Sequence, residues 1–216
     1  GHWDETLQHA EAVVAAADAG SGPMQVVDAR ILRARIRLAR GDVGGALDDS
    51  ASAAALAREA RDPQVAFPAL ATYAHALVSA GQAEEADSVA TELLESWAAS
   101  GATLAGPWLP ELAAVLAVLG RETDLAEAAT RAPTPTRWLE AATAQAAGDS
   151  GRAAGIYAEI GSLPDEAYAR LRAAENLVDA GRRGEAEAQL MLALDFFRAV
   201  DAAGYLRESE ALLATT

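Results

Sequence analysis

The residues that could do chemistry are few. The histidines are His2, His9 and His75. Glu5 and His9 stand four apart and share one helix face, which offers two metal ligands at most, with no third nearby in the chain. Cysteine is absent, so disulfides and thiolate metal sites are excluded. Gly148-Asp149-Ser150-Gly151 matches a short phrase found around an activated serine. That chemistry needs a histidine partner held by a third group, and His75 has no companion of that kind in the sequence. The phrase is therefore expected to be a turn between helices. All 17 basic residues are Arg, so a phosphate loop of the Gly-x-x-x-x-Gly-Lys-Ser/Thr kind is impossible. No nucleophile, base and oxyanion set converges. The expectation is a protein that is not an enzyme, without catalytic, metal or cofactor-binding residues and without a cofactor.

Binding chemistry has more candidates. Arg30, Arg33, Arg37 and Arg40 form one basic stripe beside the apolar stripe Val27, Ile31, Ala34 and Leu38. The stripe could receive an anion or an acidic peptide. Ion pairing to Glu11, Asp48 or Asp49 on neighbouring helices is the favoured reading, since charged helix faces commonly pair in this way. Trp97 and Trp108 flank a long connection, 100–107, and are expected to staple adjacent units. Trp138 is weighed between core packing, which is favoured, and a binding anchor.

The elements that hold these residues follow from composition and repetition. The chain has 216 residues, with 51% hydrophobic and only 5% aromatic residues. Roughly a quarter of it is alanine, far above ordinary usage. Low aromatic and β-branched content argues against a sandwich or barrel, and alanine favours closely packed helices. The net charge of −15 argues against binding to nucleic-acid phosphates and to anionic membranes. No apolar run reaches the length of a membrane span, and the opening residues lack the basic and apolar regions of a signal peptide. A cytoplasmic location is the expectation.

A glycine-marked phrase recurs. Gly41-Asp42-Val43-Gly44-Gly45-Ala46, Gly81-Gln82-Ala83-Glu84-Glu85-Ala86, Gly148-Asp149-Ser150-Gly151-Arg152-Ala153 and Gly181-Arg182-Arg183-Gly184-Glu185-Ala186 are the clear copies. Looser ones begin at Gly1 and Gly120, and successive markers differ by 40, 40, 39, 28 and 33 residues. Seven residues before each internal marker stands an alanine: Ala34, Ala74, Ala113, Ala141 and Ala174. Glycine ends a helix because it takes positive φ without steric cost. Asp42 and Asp149 can cap the next helix. Small residues on both sides of the turn, such as Ala74 and Ala86, let the two helices approach closely. The reading is a chain of helix hairpins, each with an apolar face that only a neighbour can bury. Helices are expected over 3–17, 24–40, 42–60, 64–80, 82–99, 108–119, 122–131, 137–147, 150–160, 165–180, 182–199 and 204–214.

This pattern resembles the tetratricopeptide repeat. That family places glycine between its two helices and alanine early in the second, and Tyr157 matches its later aromatic position. The resemblance covers nearly the whole chain, with units near forty residues that are longer than usual. It implies an all-α fold: one domain over 1–216, built as a right-handed superhelical stack of about five and a half hairpins plus a C-terminal capping helix. The stretch Leu194 to Leu213 is similar to the C-terminal ends of large bacterial signalling ATPases and transcriptional regulators, and the Lys-free composition fits a GC-rich bacterial genome. The opening helix lacks a hairpin partner, so the chain is expected to be part of a longer polypeptide. Its apolar residues Leu7, Val13 and Val14 are expected to pack on the next repeat or on something missing.

In the family's register, the inner groove is lined by residues roughly ten, six and three before each glycine. The candidate partner-binding residues are Arg35, His75, Trp138, Gln145 and Glu175. The expected function is a non-enzymatic protein–protein interaction scaffold that binds a peptide or partner helix in its concave groove. The alternative is a sensor or regulatory module of a larger signalling ATPase, binding a small molecule or another domain of the same chain.

Overall fold

The computed structural model describes residues 2–21 and 25–214. Among them are twelve α-helices and no strand: α1 (Trp3–Ala16), α2 (Val26–Arg40), α3 (Val43–Ala60), α4 (Pro63–Ser79), α5 (Ala83–Ala99), α6 (Leu109–Val118), α7 (Asp124–Ala129), α8 (Arg137–Ala146), α9 (Ser150–Ile160), α10 (Leu163–Asp179), α11 (Arg183–Ala199) and α12 (Ala203–Leu213). The marker at Gly1 and the expected helix start at Met24 lie outside the described residues. No helix among the described residues is long and apolar enough to cross a membrane.

The glycine signal has a direct structural counterpart. Gly41, Gly81, Gly120, Gly148 and Gly181 all take positive φ, between 68° and 86°. Each stands just past the end of the first helix of a hairpin. Asp42 then accepts a hydrogen bond from the Gly45 amide at 3.0 Å, and Asp149 one from the Arg152 amide at 3.2 Å. These satisfy amides that the new helix cannot satisfy itself. The alanines behave as the spacing requires. Ala34, Ala74, Ala113, Ala141 and Ala174 are all fully buried, and so are Ala46, Ala86, Ala153 and Ala186 after the turns. A larger side chain at these positions would hold the paired helices apart.

Helices adjacent in sequence pack in pairs, and α2, α4, α6 and α8 also pack side by side. The largest core cluster runs through α4, α5 and α6, where Phe67, Trp97 and Trp108 meet. Trp97 and Trp108 lie edge-on at 5.5 Å and donate to the Thr103 and Leu104 carbonyls, at 2.6 and 2.8 Å. They tie down the long connection between α5 and α6, as their positions suggest. The segment expected as a helix over 122–131 is helical only in α7. Its end tightens into three-residue turns through Thr130, Arg131 and Ala132. Pro133 disfavours helical backbone in the residue before it.

The stack also closes on itself. Helix α12 packs on α2. Ala39 of α2 belongs to the same buried cluster as Leu171, Phe197 and Ala202 from the C-terminal hairpins. Trp3 of α1 meets Phe196 of α11 edge-on at 5.9 Å. Arg40 reaches Asp4 at 2.6 Å, and Val14 of α1 is buried in a cluster with Ala29 of α2. The opening helix is thus covered by the second helix and by the far end of the chain.

Candidate functional site

Closure turns the inner face of the first helices into a half-open pocket, with the exposed Leu32 at its rim. A cavity of about 380 Å³ is bounded by residues from α1, α2, α4, α6, α8, α10, α11 and α12. A second cavity of about 420 Å³ lies beside it. The two share Leu38, His75, Ala114, Tyr168 and Tyr205 as lining residues, so this mainly aromatic layer forms the partition between them. Within it, His75 and Tyr168 are 5.7 Å apart edge-on, and Tyr168 and Tyr205 are 5.5 Å apart.

Arg35, on the inner face of α2, crosses the space to α6. Its Nε donates to Glu111 Oε1 at 2.7 Å, and its Nη2 to the Pro107 carbonyl at 3.2 Å. Thr72 of α4 donates to the other Glu111 oxygen at 2.8 Å. Glu111 is the one charge in an otherwise apolar helix and is 7% exposed. Burial disfavours the Arg35 charge, but Glu111 more than offsets that, and the guanidinium pKa lies above its ordinary value. Desolvation lowers the His75 pKa, so the imidazole lines the cavity uncharged near neutral pH.

Helix α10 contributes Asp165. Ser162 donates to it at 2.5 Å, and no salt bridge reaches it among the described residues. Desolvation raises its pKa to about 6, against the opposing pull of the Ser162 hydroxyl and of Arg35. Helix α8 contributes Trp138 and Gln145, two turns apart on one face. Gln145 is 3% exposed; its Nε2 donates to the Pro110 carbonyl at 3.3 Å, while its Oε1 accepts nothing. Trp138 is half-buried, 6.1 Å from Tyr157, and packs against two core clusters while also lining the cavity.

Four of the five residues singled out from sequence, Arg35, His75, Trp138 and Gln145, line this one cavity. Glu175 does not. It turns to Arg172 at 3.0 Å, and Arg172 also pairs with Glu208. The register also put Ile31, Ala71 and Leu171 in the groove, but all three are buried in core clusters. The inner face is therefore narrower than the repeat register implied. The basic stripe is an ion-pair array. Asp49, 1% exposed, accepts from Arg33 at 2.6 Å, Arg37 at 2.8 Å and Arg30 at 3.4 Å. Glu111, Asp165, Tyr168 and Tyr205 were not singled out. A lone carboxylate in an apolar helix was a usable signal for Glu111. Asp165 and Tyr205 enter the site only because the ends of the chain meet.

Gly148-Asp149-Ser150-Gly151 is the turn into α9, and no group of His, Asp and Glu that could hold a metal ion occurs among the described residues. Set against models of protein families, curated proteins and solved structures, the chain matches none.

Proposed function

We propose that this chain is a non-enzymatic, tetratricopeptide-like sensor module, whose ligand is a compact molecule held inside the closed ring of hairpins. The observation that carries this reading is the cavity that both ends of the stack line together. Its volume of about 380 Å³ falls in the range of small-molecule sites, with mostly apolar walls and a few polar groups. A cavity of that size suits a compact ligand or the end of a peptide. The polar groups suit binding rather than turnover. Glu111 is held by Arg35 and Thr72, Ser162 by Asp165, and the His75 ring makes no hydrogen bond to a hydroxyl or carboxylate among the described residues. A place within a longer signalling polypeptide is part of the same proposal and rests on the resemblance of 194–213.

The test is a thermal-shift screen of a small-molecule library and a peptide library on the wild-type chain and on Ala114→Phe. Ala114 lines both cavities, and a phenyl group there narrows them. Small molecules that stabilise the wild type and fail on the variant support the reading. Stabilisation by long helical peptides, unaffected by the variant, would overturn it in favour of an outer or opened groove.

A further inference from the structure

Asp165 and Gln145 give the cavity an uneven set of polar groups. Of its ionisable lining residues other than tyrosines, Arg35 and Glu111 cancel as an ion pair and His75 is neutral. Asp165 remains, a carboxylate with a hydroxyl partner and no cation in contact. Arg35 acts on it only through space, and Glu111 acts against it. Gln145 adds a buried carbonyl oxygen without a donor, and the Nε2 contact to Pro110 fixes which atom that is. A buried acceptor left without a donor costs free energy, so a ligand that supplies the donor gains what the empty site lacks. The walls add aromatic faces, including Trp138, Tyr168 and Phe196. Tyr168 already receives one cation within the fold, since the Arg172 guanidinium carbon sits 5.0 Å from its ring centroid.

We propose that the cavity binds an organic ammonium ion, with N–H groups directed to Asp165 and Gln145 Oε1 and the hydrocarbon body against the aromatic wall. Carboxylate, amide oxygen and aromatic face all favour the same kind of ligand: a positive charge carrying N–H donors on an apolar frame. A primary or secondary amine meets all three. A quaternary ammonium lacks the N–H donors, a neutral alcohol lacks the charge, and a carboxylic acid meets Asp165 with like charge. A cavity of about 380 Å³ admits an arylalkylamine with room for further substituents.

This inference rests on the cavity being the ligand site, and the experiment separates the two. Calorimetric titration at pH 7.5 compares 2-phenylethylamine, 2-phenylethanol and phenylacetate on the full chain. The expected result is that the amine binds at least tenfold more tightly than the alcohol, with phenylacetate weakest. Asp165→Asn, which keeps the shape, should bring the amine down to the alcohol's affinity. Gln145→Leu should weaken the amine severalfold. Equal binding of alcohol and amine, or tighter binding of phenylacetate, abolished by Ala114→Phe, would keep the cavity as the site and overturn the ammonium assignment. Binding of none of the three overturns the ammonium assignment, while the cavity reading still answers to the library screen. A tenfold preference that survives in Asp165→Asn overturns the role given to the carboxylate.

Discussion

Gly204 stands directly against Gly41. A β-carbon on Gly204 would lie 2.7 Å from the Gly41 amide nitrogen and 2.8 Å from the Ala39 carbonyl oxygen. This is where the first turn of α12 meets the end of α2, and backbone faces backbone with no flexible side chain to yield. Ring closure is therefore sensitive to a single methyl group. Gly204→Ala should destabilise the fold by about 1–3 kcal/mol, the usual range for overpacking. Gly184, early in α11, has open space around it, so Gly184→Ala should be neutral or should stabilise by up to about 1 kcal/mol. Urea denaturation of the two variants checks the contrast. Equal effects would mean that the seam tolerates a side chain.

The arginine array on α2 depends on one carboxylate. Asp49→Ala would leave Arg30, Arg33 and Arg37 facing one another with their shared partner gone, and should cost about 3–5 kcal/mol. Asp48→Ala, one residue away and exposed, should stay within about 0.5 kcal/mol of wild type. Comparable losses in the two variants would show that Asp49 does not organise the array.

Much of this architecture was legible in the sequence, and the reason is local. A glycine at positive φ, an aspartate cap three residues before the amide it satisfies, and alanines at the helix crossing are each decided within a few residues. That is why Gly41, Asp42 and Ala34 could be read together. The boundary of α7 was less legible, because Pro133 and the turns before it compete with helix-forming residues at 126–129. The site was half legible. Arg35, His75, Trp138 and Gln145 follow from the hairpin register, which fixes the face each side chain takes. Asp165 and Tyr205 do not, since their approach to Arg35 depends on the summed tilt of five hairpins, to which no single residue is decisive. Glu175 lies outside this cavity, where Arg172, one turn before it on α10, pairs with its carboxylate.

Asp165 gives the fold a pH signature. Its folded pKa of about 6 lies above the aspartate value of 3.8, so the folded chain holds the proton more tightly than the unfolded chain. That contribution is fully present below about pH 4 and is lost as pH rises through about 6. Between pH 4 and pH 7.5 the wild type should therefore lose up to about 2–3 kcal/mol that Asp165→Asn retains. The groups facing the carboxylate are the Ser162 hydroxyl, Arg35 of α2, Glu111 of α6 and the Tyr157 phenol of α9. None of them changes in the variant, so the difference between the two stability–pH curves isolates Asp165. Parallel curves would place Asp165 in water.

Trp138 serves both core and cavity. Trp138→Ala should lower stability by about 2–4 kcal/mol, because its ring packs on Tyr157 and on two clusters. Trp138→Phe should keep most of that stability and still weaken an aromatic-bodied ligand. Loss of folding in both variants would make the residue purely structural.

Closure of the ring is the claim on which the cavity depends, and the absence of cysteine makes it accessible to a direct measurement. Val43, at the start of α3, and Arg207, in α12, line the same cavity although 164 residues separate them in sequence. The double variant Val43→Cys/Arg207→Cys, treated with a short bismaleimide at low protein concentration, should form an intramolecular bridge in high yield. Mass spectrometry of the digest should recover the linked peptides. Two thiols that each react fully with the reagent but never bridge within one molecule would contradict the closed ring, and with it the site that the ring bounds.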